Sequence, residues 1–312
     1  TTLGLEKRFG NSRVFDMPTS ENAMTGVAIG AALNGIRPVM CHQRLDFFLL
    51  ALDQLVNNAA KWHYMFGGQS SIPLTIRLII GRGWGQGPTH SQNLQALFAH
   101  IPGLKVVMPT TPEDAKGLLL ASIFDDNPVV FLEHRWLHNL EGNVPVGDYR
   151  TPLGSARKLK EGTDISIVAM SYMTIEAIHA LKILESRGIS CELIDLRTIK
   201  PIDWNLIFSS VKKTGRLLAL DTGCSTGSVA GEIIAQVSIN CFEALRQAPQ
   251  RIALPDVPTP TSKALTRGFY KRAEDIIDQV GVMLGQDLSG QQLIDRNHML
   301  CDVPGEWFKG PF

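Results

Sequence analysis

Apolar residues gather into short, nearly continuous runs, and these alternate with longer stretches in which they recur every three or four positions. Residues 74–80 (LTIRLII) carry a single charge, Arg77, the pattern of a strand covered on both faces in a parallel sheet. Similar runs predict strands at Arg37–Cys41, at Leu104–Met108 and at Val129–Leu132. In the first of these Pro38 must sit at the start, where its missing N–H is tolerated. A shorter pair, Val14 and Phe15, reads as a strand ahead of them. Helical periodicity falls between the strands, over Glu21–Asn34, Asp46–Tyr64, a segment around Leu94–Phe98, and Glu113–Phe124. Residues 3–9 read as the end of a helix stopped at Gly10, and Gly35 and Gly67-Gly68 stop the next two.

The stretch Leu140–Pro152 (LEGNVPVGDYRTP) is polar and punctuated by Gly and Pro, which makes it a linker. The alternation then restarts. Strands are expected at Ile165–Ala169, Cys191–Ile194, Leu217–Leu220 and Arg251–Leu254, with helices at Thr174–Ser186, Trp204–Val211, Val229–Cys241 and Ala273–Leu284. Two successive β-α series predict two open α/β domains with mostly parallel sheets, at residues 1–139 and 153–284, joined by a linker at 140–152. Residues 285–312, including Trp307 and Phe308, have little periodicity and are expected to pack as an irregular arm.

Bulk properties narrow the function. At 312 residues the chain exceeds what one core usually accommodates. Thirty basic and thirty acidic residues balance to zero, which argues against a nucleic-acid or membrane-surface protein. The five cysteines are widely spaced and form no CxxC pair, so neither a disulfide framework nor a structural zinc site is expected. No apolar run reaches the roughly 18 residues of a membrane span. A soluble intracellular protein is the expectation, cytoplasmic or, in a eukaryote, of the mitochondrial matrix.

Ligands of open parallel sheets bind beyond the carboxyl ends of the strands. Three segments fit that location. Glu21 lies in the first turn of a Gly/Ala-rich helix that Thr19 or Ser20 can cap, a favourable place for a negative charge. Phe47 follows the strand 37–41. His90 ends the loop GRGWGQGPTH, directly before a helix that Thr89 or Ser91 can cap. Glycines at 81, 83, 85 and 87 permit close approach or mobility. They do not form GxGxxG, and no GxxxxGK[ST] occurs, so the usual dinucleotide and P-loop readings fail. His42, His63, His100, His134 and His138 lack HxxxH or HExxH spacing, and Cys41 reads as an inert buried thiol.

At these residues the chain resembles the beta subunit of thiamine-diphosphate-dependent 2-oxo acid dehydrogenases. The likeness runs collinearly through PTSE, ALDQLVNNAAKW, GQGPTHSQ, FAHIPGLKVVMPTTPEDAKGLL, DNPVVFLEH and IDLRTIKPID. It implies a pyrimidine-binding domain followed by a transketolase-type C-terminal domain. It also implies a helix and first strand ahead of residue 1. Glu21 matches the glutamate that bonds the cofactor's aminopyrimidine, Phe47 the aromatic packed on that ring, and His90 the histidine beside the thiazolium. Thr19, a further cofactor contact, stands where a larger aliphatic residue is common. The reaction implied is decarboxylation of a 2-oxo acid and reductive acylation of a lipoyl group. The Gly-Asp-Gly motif that places magnesium and the diphosphate is missing, Gly147-Asp148-Tyr149 being the nearest approach. The resemblance gives that half of the site to an alpha subunit, in an α2β2 assembly that serves a lipoyl acyltransferase core. It also points to a potassium ion at Leu74, Ser122, Ile123, Asp125 and Asn127. The alternatives are half of a split transketolase, for which Arg44 and Arg82 could bind sugar phosphate, and a non-catalytic subunit that keeps the fold.

Overall fold

A computed structural model describes residues 2–83, 85–294, 301–305 and 308. Its first half runs α1 (Leu5–Phe9), α2 (Glu21–Leu33), β1 (Val39–His42), α3 (Leu45–Phe48), α4 (Ala60–Met65), β2 (Thr75–Ile80), α5 (Gln95–His100), β3 (Lys105–Val107), α6 (Pro112–Ile123) and β4 (Val129–His134). The second half runs β5 (Arg157–Lys160), β6 (Ile165–Ala169), α7 (Tyr172–Ser186), β7 (Cys191–Asp195), β8 (Thr198–Lys200), α8 (Trp204–Thr214), β9 (Leu217–Cys224), α9 (Val229–Asn240), β10 (Gln250–Leu254), α10 (Lys263–Thr266), α11 (Ala273–Leu284) and α12 (Gly290–Leu293).

Two five-stranded sheets result, ordered β1-β2-β4-β3-β8 and β10-β9-β6-β7-β5. Each is parallel except for one antiparallel edge, β8 on β3 and β5 on β7. Both edge strands escape the sequence pattern, because RKLK and TIK are too short and polar to show a buried face. β8 has a consequence for the architecture. It leaves the second β-α series and pairs in the first sheet, placing Lys200 opposite Val106. One apolar cluster accordingly extends from Leu78 and Leu132 in the first sheet to Val168, Ile194 and Ala219 in the second.

Three local expectations are corrected. Val14 and Phe15 form no strand: two residues just ahead of Pro18 cannot sustain a ladder, and the Phe15 side chain is exposed. The helix over 46–64 is one irregular run, with a 3-10 turn at Leu49–Ala51 and a π-helical turn at Gln54–Ala59. The arm after Leu284 contains the one-turn helix α12, and Phe308 packs on the second core. Trp307 lies outside the described residues. Among the described residues no helix is long and apolar enough to cross a membrane.

Candidate active site

The carboxyl edge of the first sheet gathers the chemistry. β1 ends at His42, and the chain turns through Arg44 into α3, which leaves the ring of Phe47 40% exposed. β2 ends at Ile80 and opens into loop 81–90. Gly81 begins that loop with φ +77°, and a Cβ there would stand 2.6 Å from His134 Nε2 at the end of β4. Only glycine meets both conditions. At the other end of the loop the half-buried His90 ring meets Phe47 edge-on, with centroids 5.2 Å apart. Thr89 Oγ1 lies 3.0 Å from His90 Nδ1, which orients the imidazole.

Glu21 opens α2 and is half-buried. Its carboxylate has no hydrogen bond or ion pair among the described residues. Ser20 occupies the N-cap position, yet its side chain makes no cap bond and Thr19 is simply exposed, so the expected capping is absent. The second expected cap is absent too. The helix after His90 begins only at Gln95, and Ser91 Oγ turns back to donate to the Gln86 carbonyl.

His42, at the end of β1, belongs to the same edge. Its ring is 8% exposed, packs 4.8 Å from Phe48, and leaves Nε2 without a hydrogen-bond partner. Burial lowers its pKa, against a smaller upward pull from the charge of nearby Glu21, so the ring is neutral at neutral pH. An open carboxylate, a neutral orphaned imidazole, an exposed aromatic face and a second imidazole thus line one edge of the sheet. That set can share a proton with a ring nitrogen and stack a flat heterocycle.

Arg44 and Arg82, read as candidate phosphate ligands, are committed elsewhere. Both are buried, and Arg44 donates to the Gly81 carbonyl and to Gln86 Oε1. Of the expected potassium positions, Ser122, Ile123, Asp125 and Asn127 lie at the end of α6, and Leu74 lies just ahead of β2. Their oxygens already meet cationic side chains: Arg37 Nη1 donates to the carbonyls of Asp125, at 2.8 Å, and Ile123, at 3.3 Å. Arg37 also pairs with Asp126, and Lys105 with Asp125. The Leu74 carbonyl accepts the Val129 N–H, and Ser122 Oγ donates to the Leu118 carbonyl. Asn127 N–H donates to Asp125 Oδ1. Two cationic side chains thus already meet two of the carbonyls and both carboxylates of this turn. Asp148 is exposed, and Tyr149 donates to the Glu113 carbonyl; among the described residues no three metal-ligating side chains come together.

Comparison with known proteins bears on the family and the fold. Residues 1–139 match the transketolase pyrimidine-binding domain and residues 154–276 the transketolase C-terminal domain. The chain is 44% identical over 275 residues to the acetoin:2,6-dichlorophenolindophenol oxidoreductase beta subunit of Cupriavidus necator, covering 88% of this chain and 81% of that one. It is 41% identical to the pyruvate dehydrogenase E1 beta subunit of Porphyra purpurea, covering 89% and 84%. It is also 41% identical to the 2-oxoisovalerate dehydrogenase beta subunit of Bacillus subtilis, covering 88% and 85%. This chain belongs to that family of dehydrogenase beta subunits. As in the transketolase fold, its two sheets are open and mostly parallel. A split-gene transketolase, described as an inactive beta4 tetramer, superposes on this beta-subunit fold with a TM-score of 0.73 at 23% identity, covering 92% of this chain and 89% of that one.

Proposed function

We propose that the chain is the beta subunit of a heterotetrameric, thiamine-diphosphate-dependent component that decarboxylates a 2-oxo acid and passes the acyl group to a lipoyl carrier. The observation that carries this reading is the open carboxylate of Glu21 on the sheet edge that holds Phe47 and His90, in a chain of this family. These residues fit the aminopyrimidine end of the cofactor: a carboxylate for a ring nitrogen and an exposed ring for the flat face. Among the described residues no acidic cluster stands ready for the magnesium of the diphosphate, and the reading gives that half to an alpha subunit. When bound, the cofactor supplies the electron sink that lets a 2-oxo acid lose carbon dioxide.

This chain's own work is proton handling and orientation. Glu21 shares a proton with the pyrimidine ring through a carboxylate oxygen, work worth about two to four orders of magnitude in rate. Phe47 covers one face of the ring and excludes water. His90, held by Thr89 at Nδ1 and set against Phe47, is placed to stabilise charge that develops during acyl transfer. The split-transketolase alternative loses support because Arg44 and Arg82 are spent inside the protein.

The test is co-expression with an alpha subunit carrying Gly-Asp-Gly, then assay of thiamine-diphosphate-dependent decarboxylation on a panel of 2-oxo acids. Glu21→Gln in the assembled complex is expected to lower kcat at least a hundredfold without loss of assembly. Unimpaired turnover by Glu21→Gln, or no turnover by a well-assembled wild-type complex, overturns the proposal.

A further inference from the structure

The glycine-rich loop that delivers His90 is fastened from outside by a residue of the C-terminal arm. Arg82 in that loop is fully buried, and both terminal nitrogens of its guanidinium are engaged, Nε alone being left without a partner. Nη1 donates to the Gln86 carbonyl at 2.6 Å and to the Pro260 carbonyl, and Nη2 to the Thr261 carbonyl at 3.0 Å. Its charge is met by Asp302, 3.1 Å away and likewise fully buried. Asp302 lies beyond residue 276, where the match to the C-terminal domain family ends. It is itself pinned, since Arg272 Nη2 donates to the carbonyls of its neighbours Cys301, at 3.2 Å, and Val303, at 2.7 Å. The loop also presses on the 260–261 segment: a Cβ on Gly87 would stand 2.2 Å from Thr261 Oγ1. From the inner side Arg44 bonds the Gly81 carbonyl and Gln86 Oε1, while the Asp46 carboxylate accepts from Gln92 Nε2 at 2.8 Å.

A loop with glycine at every second position is costly to order, because each glycine surrenders more backbone freedom than any other residue. A buried ion pair earns little net stability, but removing one partner strands the other charge. Fixing one conformation of a loop that would otherwise sample many is a role that suits such a pair. We propose that Asp302 is a positioning residue: by binding Arg82 it holds the glycine loop in the register that sets His90 against Phe47. The consequence for catalysis rests on the function proposed above; the ordering of the loop does not.

The test uses the assembled complex and three variants: Asp302→Asn, Asp302→Glu, and the double Arg82→Met/Asp302→Leu, which removes both charges so that neither is stranded. Amide hydrogen exchange of residues 85–92 and steady-state kinetics are measured on each. Asp302→Asn and the double variant are expected to speed loop exchange at least tenfold. The double variant is expected to lower kcat about tenfold while KM for the 2-oxo acid moves less than threefold, with Asp302→Glu partly restoring both readouts. Should Asp302→Asn fail to fold, the double variant carries the test. Unchanged loop exchange in a folded double variant overturns the proposal. Faster exchange with unaltered turnover supports the clamp and instead removes His90 from the proposed reaction.

Discussion

Asp195 is the buried carboxyl group at the seam between the two sheets, and neutralising it should change the pH dependence of stability. It ends β7, is fully buried, and accepts from Thr174 Oγ1 at 3.3 Å and from the Arg197 N–H at 3.4 Å. Its Oδ2 has no partner, and the Arg197 guanidinium is spent on Asp114 instead. Burial is the largest influence and raises the pKa from 3.8 to about 7, opposed by the Thr110 hydroxyl, aided by the charge of Asp114, and opposed more weakly by the Arg197 N–H and Thr174. The folded state therefore holds this proton more tightly than the unfolded chain. The contribution is fully present below the unfolded value of 3.8 and is lost as pH rises through about 7. At about 1.36 kcal/mol per unit the whole loss is about 4 kcal/mol, of which about 2.5 kcal/mol falls between pH 5 and pH 8. Asp195→Asn keeps the acceptor and removes the titration. The difference in urea-unfolding free energy between variant and wild type should thus grow in the variant's favour by about 2.5 kcal/mol from pH 5 to pH 8. A pH-independent difference would refute the reasoning, because it would mean that the carboxyl group titrates alike in both states.

Two further predictions test the structure elsewhere. The melting temperature of the wild-type chain should be the same within about 1 °C in potassium chloride and in choline chloride at equal ionic strength. Arg37→Ala frees the Ile123 and Asp125 carbonyls and should acquire a potassium-specific rise; a specific rise in the wild type would contradict Arg37 as the cation of that turn. Gly103→Ala should cost about 3 kcal/mol or more by urea unfolding, because φ is +92° and the new Cβ would lie 1.8 Å from the Ala60 carbonyl oxygen. Gly188→Ala, at φ +77° with open space around it, should cost only about 1 kcal/mol; equal losses at the two positions would show that the clash is not what matters.

What could be read from the sequence follows from what each element owes to its own residues. LTIRLII declares itself because a strand covered on both faces needs no partner's identity to look apolar. TIK cannot, since its place at the edge of the first sheet is decided by β3, more than ninety residues earlier. Glu21, Phe47 and His90 stand out as candidates because helix mouths and strand ends are local features, and the family resemblance joins them. His42 does not, although it closes β1 at the same sheet edge. Metal-ligand spacing was the wrong question for a histidine whose significance is an orphaned Nε2 near a carboxylate. The glycine loop makes the limit plainest. Alternate glycines suggest a segment free to move over a site, and their number alone would favour that reading. The decisive terms are Arg44 on the way into α3 and Asp302 in the arm, both remote in sequence from the loop. Local composition therefore supplies the loop's capacity to adopt many conformations. Side chains from two distant segments remove that freedom, and so the orientation of His90 depends on residues that carry no chemistry themselves.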